Sequence, residues 1–484
     1  MITRDDLNRD LLRAEYAVRG AITNRAQELE AQGRKIIYCN IGNPLAFAQR
    51  PITYLRQILS LLEYPALLDD AAALGLYPTD VVQKVRGILE RHPSGTGAYS
   101  QSAGIPFIRQ AVADFITRRD GIPTDKEHVL LTDGASKGVE AAVVALLRDR
   151  HDGILIPIPQ YPLYSAEIAL RGGKAVGYPL DEAHHWQLRE DSLASAVARA
   201  RADGVHPVAI AVINPGNPTG AVLTRENIAM VIRFARANGL SILADEVYQE
   251  NVYVPDRRFH SFAKVMHELG ERSVSLFSFH SVSKGFLGEC GHRGGYVEFR
   301  NIPDDVLAEL VKLQSISLCS SVVGQMAVYV MVSPPQPNEA SYQRYVEERD
   351  GVLRALKAKA EVLSRGINAI GGMSLESPQG ALYAFVRFDL PAEPGIDLAA
   401  MDAERRREYE ATRDSAYCLA LLEETGICVV PGSGFGQEPG TLHFRTTFLP
   451  SQEEIEVMVG RLKAFHEHYV DALAGNGKPA AARS

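Results

Sequence analysis

A single lysine stands in the stretch VSLFSFHSVSKGFLGECGHRGGYVE at residues 274–298, where an apolar, β-rich run gives way to a serine-rich turn and then to glycines around an arginine. Lys284 follows Ser281 by three residues, precedes Arg293 by nine, and is flanked by Phe279 and Phe286. A lysine in so apolar a setting is costly unless it is paired, deprotonated or covalently modified. Its amine titrates near ~10.4 in water, and a dry site depresses that value. The chemistry that fits is a Schiff base between Lys284 and an aldehyde cofactor, with Ser281 and Arg293 gripping that cofactor's phosphate. A solvated loop lysine fits the same local composition, so other stretches must decide.

Asp245 closes the run SILADEVY, where a carboxylate needs a cationic partner. A protonated pyridine nitrogen is such a partner and makes the ring an electron sink; an aspartate capping the next helix is the plainer alternative. Tyr248, three residues on, can reach a ring hydroxyl oxygen or simply pack. Asn217 lies in INPGNPTG, where two prolines stiffen the loop enough to aim an amide at a ligand, although turn chemistry explains the same residues. Arg445, amid the apolar LHFRTTF, needs an acidic partner or an anionic substrate.

GASKG at residues 134–138 sits between a strand and a helix, so backbone N–H groups and the helix dipole favour a phosphate there. It also matches G-x-S-x-G, the nucleophile elbow of serine hydrolases. That rival reading makes Ser136 a nucleophile, with Asp245 and a later histidine, His280 or His443. No H-E-x-x-H occurs, and a metal site has no support. VPGSGFG at residues 430–436 does not fit a dinucleotide pattern.

These residues need elements to hold them. Of 484 residues, 46% are hydrophobic and 23% charged, an ordinary globular balance. Strands are expected at 128–131, 153–156, 174–178, 207–213 and 241–244, and helices at 105–118, 136–147, 191–202 and 225–238. The strands are continuous apolar runs, which predicts an α/β fold with a mostly parallel sheet covered by helices on both faces. Ligands bind such sheets beyond the carboxyl ends of the strands. Polar groups fall at five of those ends: 134–136, Tyr161, 214–220, Asp245 with Tyr248, and Lys284.

The first thirty residues read as one amphipathic helix. Composition changes after Pro335: helices at 338–365 and 401–425 and strands at 381–388, 428–430 and 442–446 predict a smaller α+β domain. The expected division is 1–75 joining that small domain, 76–335 as the large cofactor-binding domain, 336–474 as the small domain, and 475–484 as a disordered tail.

A net charge of −8, without a Lys/Arg block, argues against nucleic acid. Five cysteines without a C-x-x-C pair suit a reducing compartment. The first twenty residues lack the apolar core of a signal peptide, and no run of about 18 apolar residues exists to enter a membrane. A cytoplasmic protein is expected.

FHSVSKG, GECGHRGGYVE, INPGNPTG, PIPQYPLYS, LADEVYQENVY and ETGICVVPGSGFGQ closely resemble the alanine aminotransferase family of fold-type I pyridoxal-phosphate enzymes, over residues 41–450. The resemblance implies pyridoxal 5'-phosphate bound through Lys284, Asp245 on the pyridine nitrogen, Tyr248 and Asn217 on the ring hydroxyl oxygen, and Tyr161 stacked on the ring. It implies Ala135, Ser136, Ser281 and Arg293 around the phosphate, with Tyr99 lent to a neighbouring subunit's phosphate in a homodimer. Arg445, Gly42 and Asn217 are implied for the substrate. The resemblance would place a polar residue where Leu45 stands, and an aromatic or another polar residue can occur where His292 stands; both are candidates for altering substrate choice. The implied reaction is transamination between L-alanine and 2-oxoglutarate by a ping-pong route through a Lys284 Schiff base. Glutamate:glyoxylate or broader amino-acid transamination is the alternative within the family.

Overall fold

A computed structural model describes residues 1–16, 20–47, 49–391 and 401–474. Seven strands form its central sheet in the spatial order Val129–Asp133, Gly294–Arg300, Leu276–Ser281, Ser241–Asp245, His206–Ile213, Asp152–Ile158 and Lys174–Pro179. Pairing is parallel from Leu276–Ser281 through Lys174–Pro179. Gly294–Arg300 runs antiparallel to both of its neighbours, so every other strand points its carboxyl end to one edge.

The apolar runs are explained by cover on both faces. Val143, Ile168 and Leu310, from helices Ala135–Leu146, Leu163–Leu170 and Asp304–Ser315, pack with Ile154, Ala211 and Phe279. Leu193, Ile232 and Phe262, from helices Glu190–Ala202, Arg225–Asn238 and Phe262–Glu268, pack with Leu155, Ile210 and Leu276 on the opposite side. Each fully buried aliphatic or aromatic side chain contributes roughly 1.5–3 kcal/mol, which leaves little room for a polar residue inside a strand. Polar groups are therefore displaced to the strand ends.

The C-terminal part carries a four-stranded antiparallel sheet in the order Val430–Pro431, His443–Thr447, Tyr383–Phe388 and Met373–Ser374. The helices Tyr342–Asn368 and Gln452–Leu473 pack together beside it. Ile37–Tyr38 pairs in parallel with Ile427–Cys428, tying the N-terminal segment to this part. Of residues 1–75, however, Ile52, Leu55, Ile58 and Leu62 pack elsewhere, with Val85, Ile108 and Val129.

Several expectations need correction. The single N-terminal helix is instead a short helix Arg9–Arg13 and a second, Ala21–Ala31, entered from an extended Gly20. Leu7 and Leu11 are exposed, so their helical spacing does not mark a core-facing stripe. The reversed strand Gly294–Arg300 was not anticipated, because its glycines and charged residues hide its apolar face. The helices Thr53–Glu63, Thr79–Arg91, Val322–Val332 and Gln452–Leu473 were not anticipated either. The expected tail at 475–484 lies outside the described residues. Among those residues no helix is long and apolar enough to cross a membrane, and no cluster of metal-binding side chains occurs.

Candidate active site

A cavity of about 750 Å³ opens at the carboxyl edge of the sheet. It is lined by Gly42, Ala135, Ser136, Tyr161, Asn217, Asp245, Tyr248, Ser281, Lys284, Arg293 and Arg445, residues drawn from both sheets and the N-terminal segment.

One end suits an anion. Gly134 adopts φ 74° and caps helix Ala135–Leu146, whose first turn leaves N–H groups without helical partners, and Ala135 and Ser136 of that turn line the cavity. Arg293 donates to the Asp133 carbonyl at 3.0 Å and to the Ser136 hydroxyl at 3.2 Å. A Cβ on Gly134 would stand 2.6 Å from the Arg293 guanidinium, so glycine is what lets the arginine settle over the helix terminus. Ser281, at the end of its strand, lines the same end and accepts from the Ser283 N–H at 3.3 Å.

Lys284 is half-buried and donates to the Gly42 carbonyl at 2.6 Å, with its nitrogen 5.8 Å from the centre of the Tyr248 ring. Burial by itself lowers the Lys284 amine, but the Tyr383 hydroxyl and the Cys290 thiol outweigh it, and the net direction is upward. The depressed amine expected from the flanking phenylalanines is therefore not found. Asp245 is buried, accepting from the Tyr164 hydroxyl at 3.2 Å and, at 3.5 Å, from the Val247 N–H. Burial pushes its carboxyl up to about 6, against the opposing pull of its two hydrogen bonds and of Lys284.

Arg445 is 1% exposed. Its guanidinium donates to the Asn217 amide oxygen at 3.2 Å and to the Asn40 carbonyl, and it lies 4.4 Å from the Tyr383 ring and 4.6 Å from the Phe435 ring. Its Nε has no partner, and among the described residues no carboxylate forms a salt bridge with it. Burial pulls its guanidinium below the usual value. A buried cation left with neutral partners is an anion-binding arrangement.

Gly42 is fixed by sterics. A Cβ there would overlap the Tyr383 hydroxyl and stand 2.6 Å from the ring carbon bearing it. Gly42→Ala is expected to cost about 1–3 kcal/mol of stability, measured by urea unfolding. Tyr383→Phe in the same chain should recover part of that loss, because it removes the overlapping oxygen.

Some expected residues are not gathered. Tyr99 is 77% exposed and stays outside the cavity. Leu45 does not line it, and His292 turns away to Glu289 at 2.9 Å. The hydrolase reading fails on geometry. Ser136 lies inside the helix, the positive φ falls on Gly134, and the Ser136 hydroxyl accepts from Arg293. His280 is buried with both ring nitrogens unpartnered and is held down to about 3 by burial, while His443 pairs with Glu182. Neither histidine reaches Ser136.

Sequence reasoning missed Tyr16, Tyr164, Cys290 and Tyr383. Tyr16 meets the Tyr161 hydroxyl at 2.7 Å. Only the position of Tyr164, in the helix Leu163–Leu170 that follows the strand Asp152–Ile158, hinted at its role. Tyr383 carried no local signal, because it reaches the cavity from the other sheet.

The residues present fit a phosphorylated pyridine aldehyde: an amine, a desolvated carboxyl without a salt bridge, and a helix terminus under an arginine. The sequence model of aminotransferase class I and II matches residues 69–462. Alanine aminotransferase 1, mitochondrial, of Arabidopsis thaliana is 47% identical over 482 residues, 97% of this chain and 87% of that protein. Glutamate–glyoxylate aminotransferase 2 of the same plant is 43% identical over 98% of this chain and 97% of its own length. The solved alanine aminotransferase of Pyrococcus furiosus superposes with a TM-score of 0.76 at 25% identity, covering 95% of this chain and 99% of that one. The chain belongs to the class I and II aminotransferases. It is an amino-group transferase that uses pyridoxal phosphate. The expected cytoplasmic placement is overturned by the mitochondrial name of the Arabidopsis relative.

Proposed function

We propose that the chain exchanges the amino group of L-alanine with 2-oxoglutarate, giving pyruvate and L-glutamate, with the cavity around Lys284 as its active site. The observation that carries this reading is Arg445: a buried guanidinium without a carboxylate, in the same cavity as a lysine and a desolvated aspartate. When bound, pyridoxal phosphate supplies an aldehyde that takes up the amino group and a ring that accepts electrons from the breaking Cα–H bond.

The chain's own residues do the rest. Lys284 would hold the cofactor through Nζ, and its amine is the group placed to take a proton from the substrate Cα and give it back. Asp245 would hold the ring nitrogen in its protonated form, Tyr248 and Asn217 would hold the ring hydroxyl oxygen, and Tyr161 would cover the ring. Ala135, Ser136, Ser281 and Arg293 hold the phosphate. Arg445 binds the substrate carboxylate beside Gly42 and Asn217. Pyruvate leaves before 2-oxoglutarate enters, a ping-pong order. The exposure of Tyr99 supports a homodimer in which that tyrosine reaches the neighbouring subunit's phosphate.

Arg445→Ala is expected to raise the KM for alanine about 10- to 100-fold with a smaller change in kcat, measured by initial rates; an unchanged KM removes Arg445 from the carboxylate role. The similarity to a glutamate–glyoxylate aminotransferase favours one second reading, glutamate with glyoxylate. A single pocket contact shifts such choices by only about 1–3 kcal/mol. Rates for a panel of amino acids, each with 2-oxoglutarate and with glyoxylate, decide between the two.

A further inference from the structure

Lys284 poses a conflict. A base working at neutral pH needs a neutral amine, yet the surroundings favour the charged form: burial opposes it, and Tyr383 and Cys290 prevail. Burial also works on Tyr383, pushing its phenol up, but Lys284 and Arg445 overcome it and hold the phenol below its usual value. The two shifts point at one another.

The geometry supports a shared proton. Tyr383 begins the strand Tyr383–Phe388 and is 3% exposed. Its hydroxyl occupies the space that a Cβ on Gly42 would need, and the carbonyl of that same Gly42 accepts from Lys284 at 2.6 Å. Gly42 therefore touches both groups, the Tyr383 hydroxyl on its Cα side and the Lys284 amine at its carbonyl. Tyr248 donates to the Tyr383 hydroxyl at 3.3 Å, and the Arg445 guanidinium lies over the ring. The other titratable groups facing the pair are Asp245, from the central sheet, and Cys290, whose thiol donates to the Ser283 carbonyl at 3.2 Å. Tyr161, which also lines the cavity, interacts with Tyr383 as well.

We propose that Tyr383 is a positioning residue acting through Lys284: its phenolate oxygen takes one proton from the ε-ammonium, presenting a neutral amine to the substrate, and returns it afterwards. In this exchange one N–H bond of Lys284 breaks and one O–H bond of Tyr383 forms. A cation and an anion become two neutral groups, and no proton enters or leaves solvent. The inference rests on the aminotransferase reading, which is what requires Lys284 to act as a base.

The test is Tyr383→Phe, which keeps the ring beneath Arg445 and removes only the hydroxyl. In cofactor-free protein, the ultraviolet absorbance of tyrosinate should show one tyrosine ionising below the usual value near ~10. That signal should vanish in Tyr383→Phe, persist in Tyr248→Phe, and move toward the ordinary range in Lys284→Ala. In the loaded enzyme, the alanine half-reaction of the wild type should be flat through neutrality, since the exchange conserves protons. In Tyr383→Phe it should instead fall about tenfold per pH unit on the acid side of the bare amine's titration, with the KM for alanine within about twofold. Parallel pH profiles, a change confined to KM, or no early-ionising tyrosine would overturn the proposal. A wild type without any alanine half-reaction would instead count against the aminotransferase reading, and the tyrosinate titration would still report on the shared proton.

Discussion

Exchange of Lys284 for alanine is expected to lower steady-state transamination by at least about 10⁴-fold while the protein still folds. The size follows from the absence of a substitute. Among the described residues the only other lysine lining the cavity is Lys137, which is exposed and paired with Glu140. Water entering the space left by the side chain can donate to the Gly42 carbonyl, so no buried acceptor is stranded and the fold has no reason to fail. Initial rates with alanine and 2-oxoglutarate, circular dichroism, and borohydride reduction in the presence of pyridoxal phosphate check the three parts of the expectation. Turnover within tenfold of the wild type, or no reduced adduct at position 284 in the parent protein, would remove Lys284 from the chemistry.

Asp245→Asn is expected to have the next largest effect, because it keeps the shape and the Tyr164 contact while removing the charge. Losing one member of a buried charged pair costs about 2–5 kcal/mol, so kcat should fall on the order of 30- to several-thousand-fold, with weaker cofactor retention. Stability should move the other way in the cofactor-free protein. The Asp245 carboxyl is pushed up to about 6 in the fold, above an unfolded value near ~3.9. The folded state therefore holds that proton more tightly. This stabilising contribution is fully present below about pH 4 and is lost as pH rises through about 6. The asparagine variant has no such loss, so above that range it should unfold at a temperature no lower than the wild type does. Thermal unfolding of both cofactor-free proteins across pH checks the sign; a variant clearly less stable at neutral pH would mean that Asp245 is already paired with a cation of the chain itself.

Much of this site was readable along the chain because a parallel sheet imposes a simple rule. Strand interiors must be apolar on both faces, so chemistry is pushed to the carboxyl ends, and the residues found there, Ser136, Tyr161, Asn217, Asp245 and Lys284, all line one cavity. The apolar runs marked the parallel strands for the same reason. The reversed strand Gly294–Arg300 escaped because glycines lie at its start and Glu298 and Arg300 interrupt it. Residues 52–62 read as part of a joining segment, although their apolar side chains belong with Val85 and Ile108.

What the chain determined on its own was the set of reactive groups and the edge on which they had to meet, because burial and backbone pairing act on each strand locally. Tertiary structure alone decided which groups touch. Tyr383 and Arg445 enter from a second sheet, Gly42 from the N-terminal segment and Tyr16 from just beyond the helix Arg9–Arg13, and no local spacing encodes contacts between positions so far apart in the chain. The ionisation of Lys284 belongs to the same class. Flanking phenylalanines predicted a depressed amine, whereas a phenol distant in sequence reverses the direction, because electrostatic coupling depends on separation in space and on the dryness of the gap between the groups.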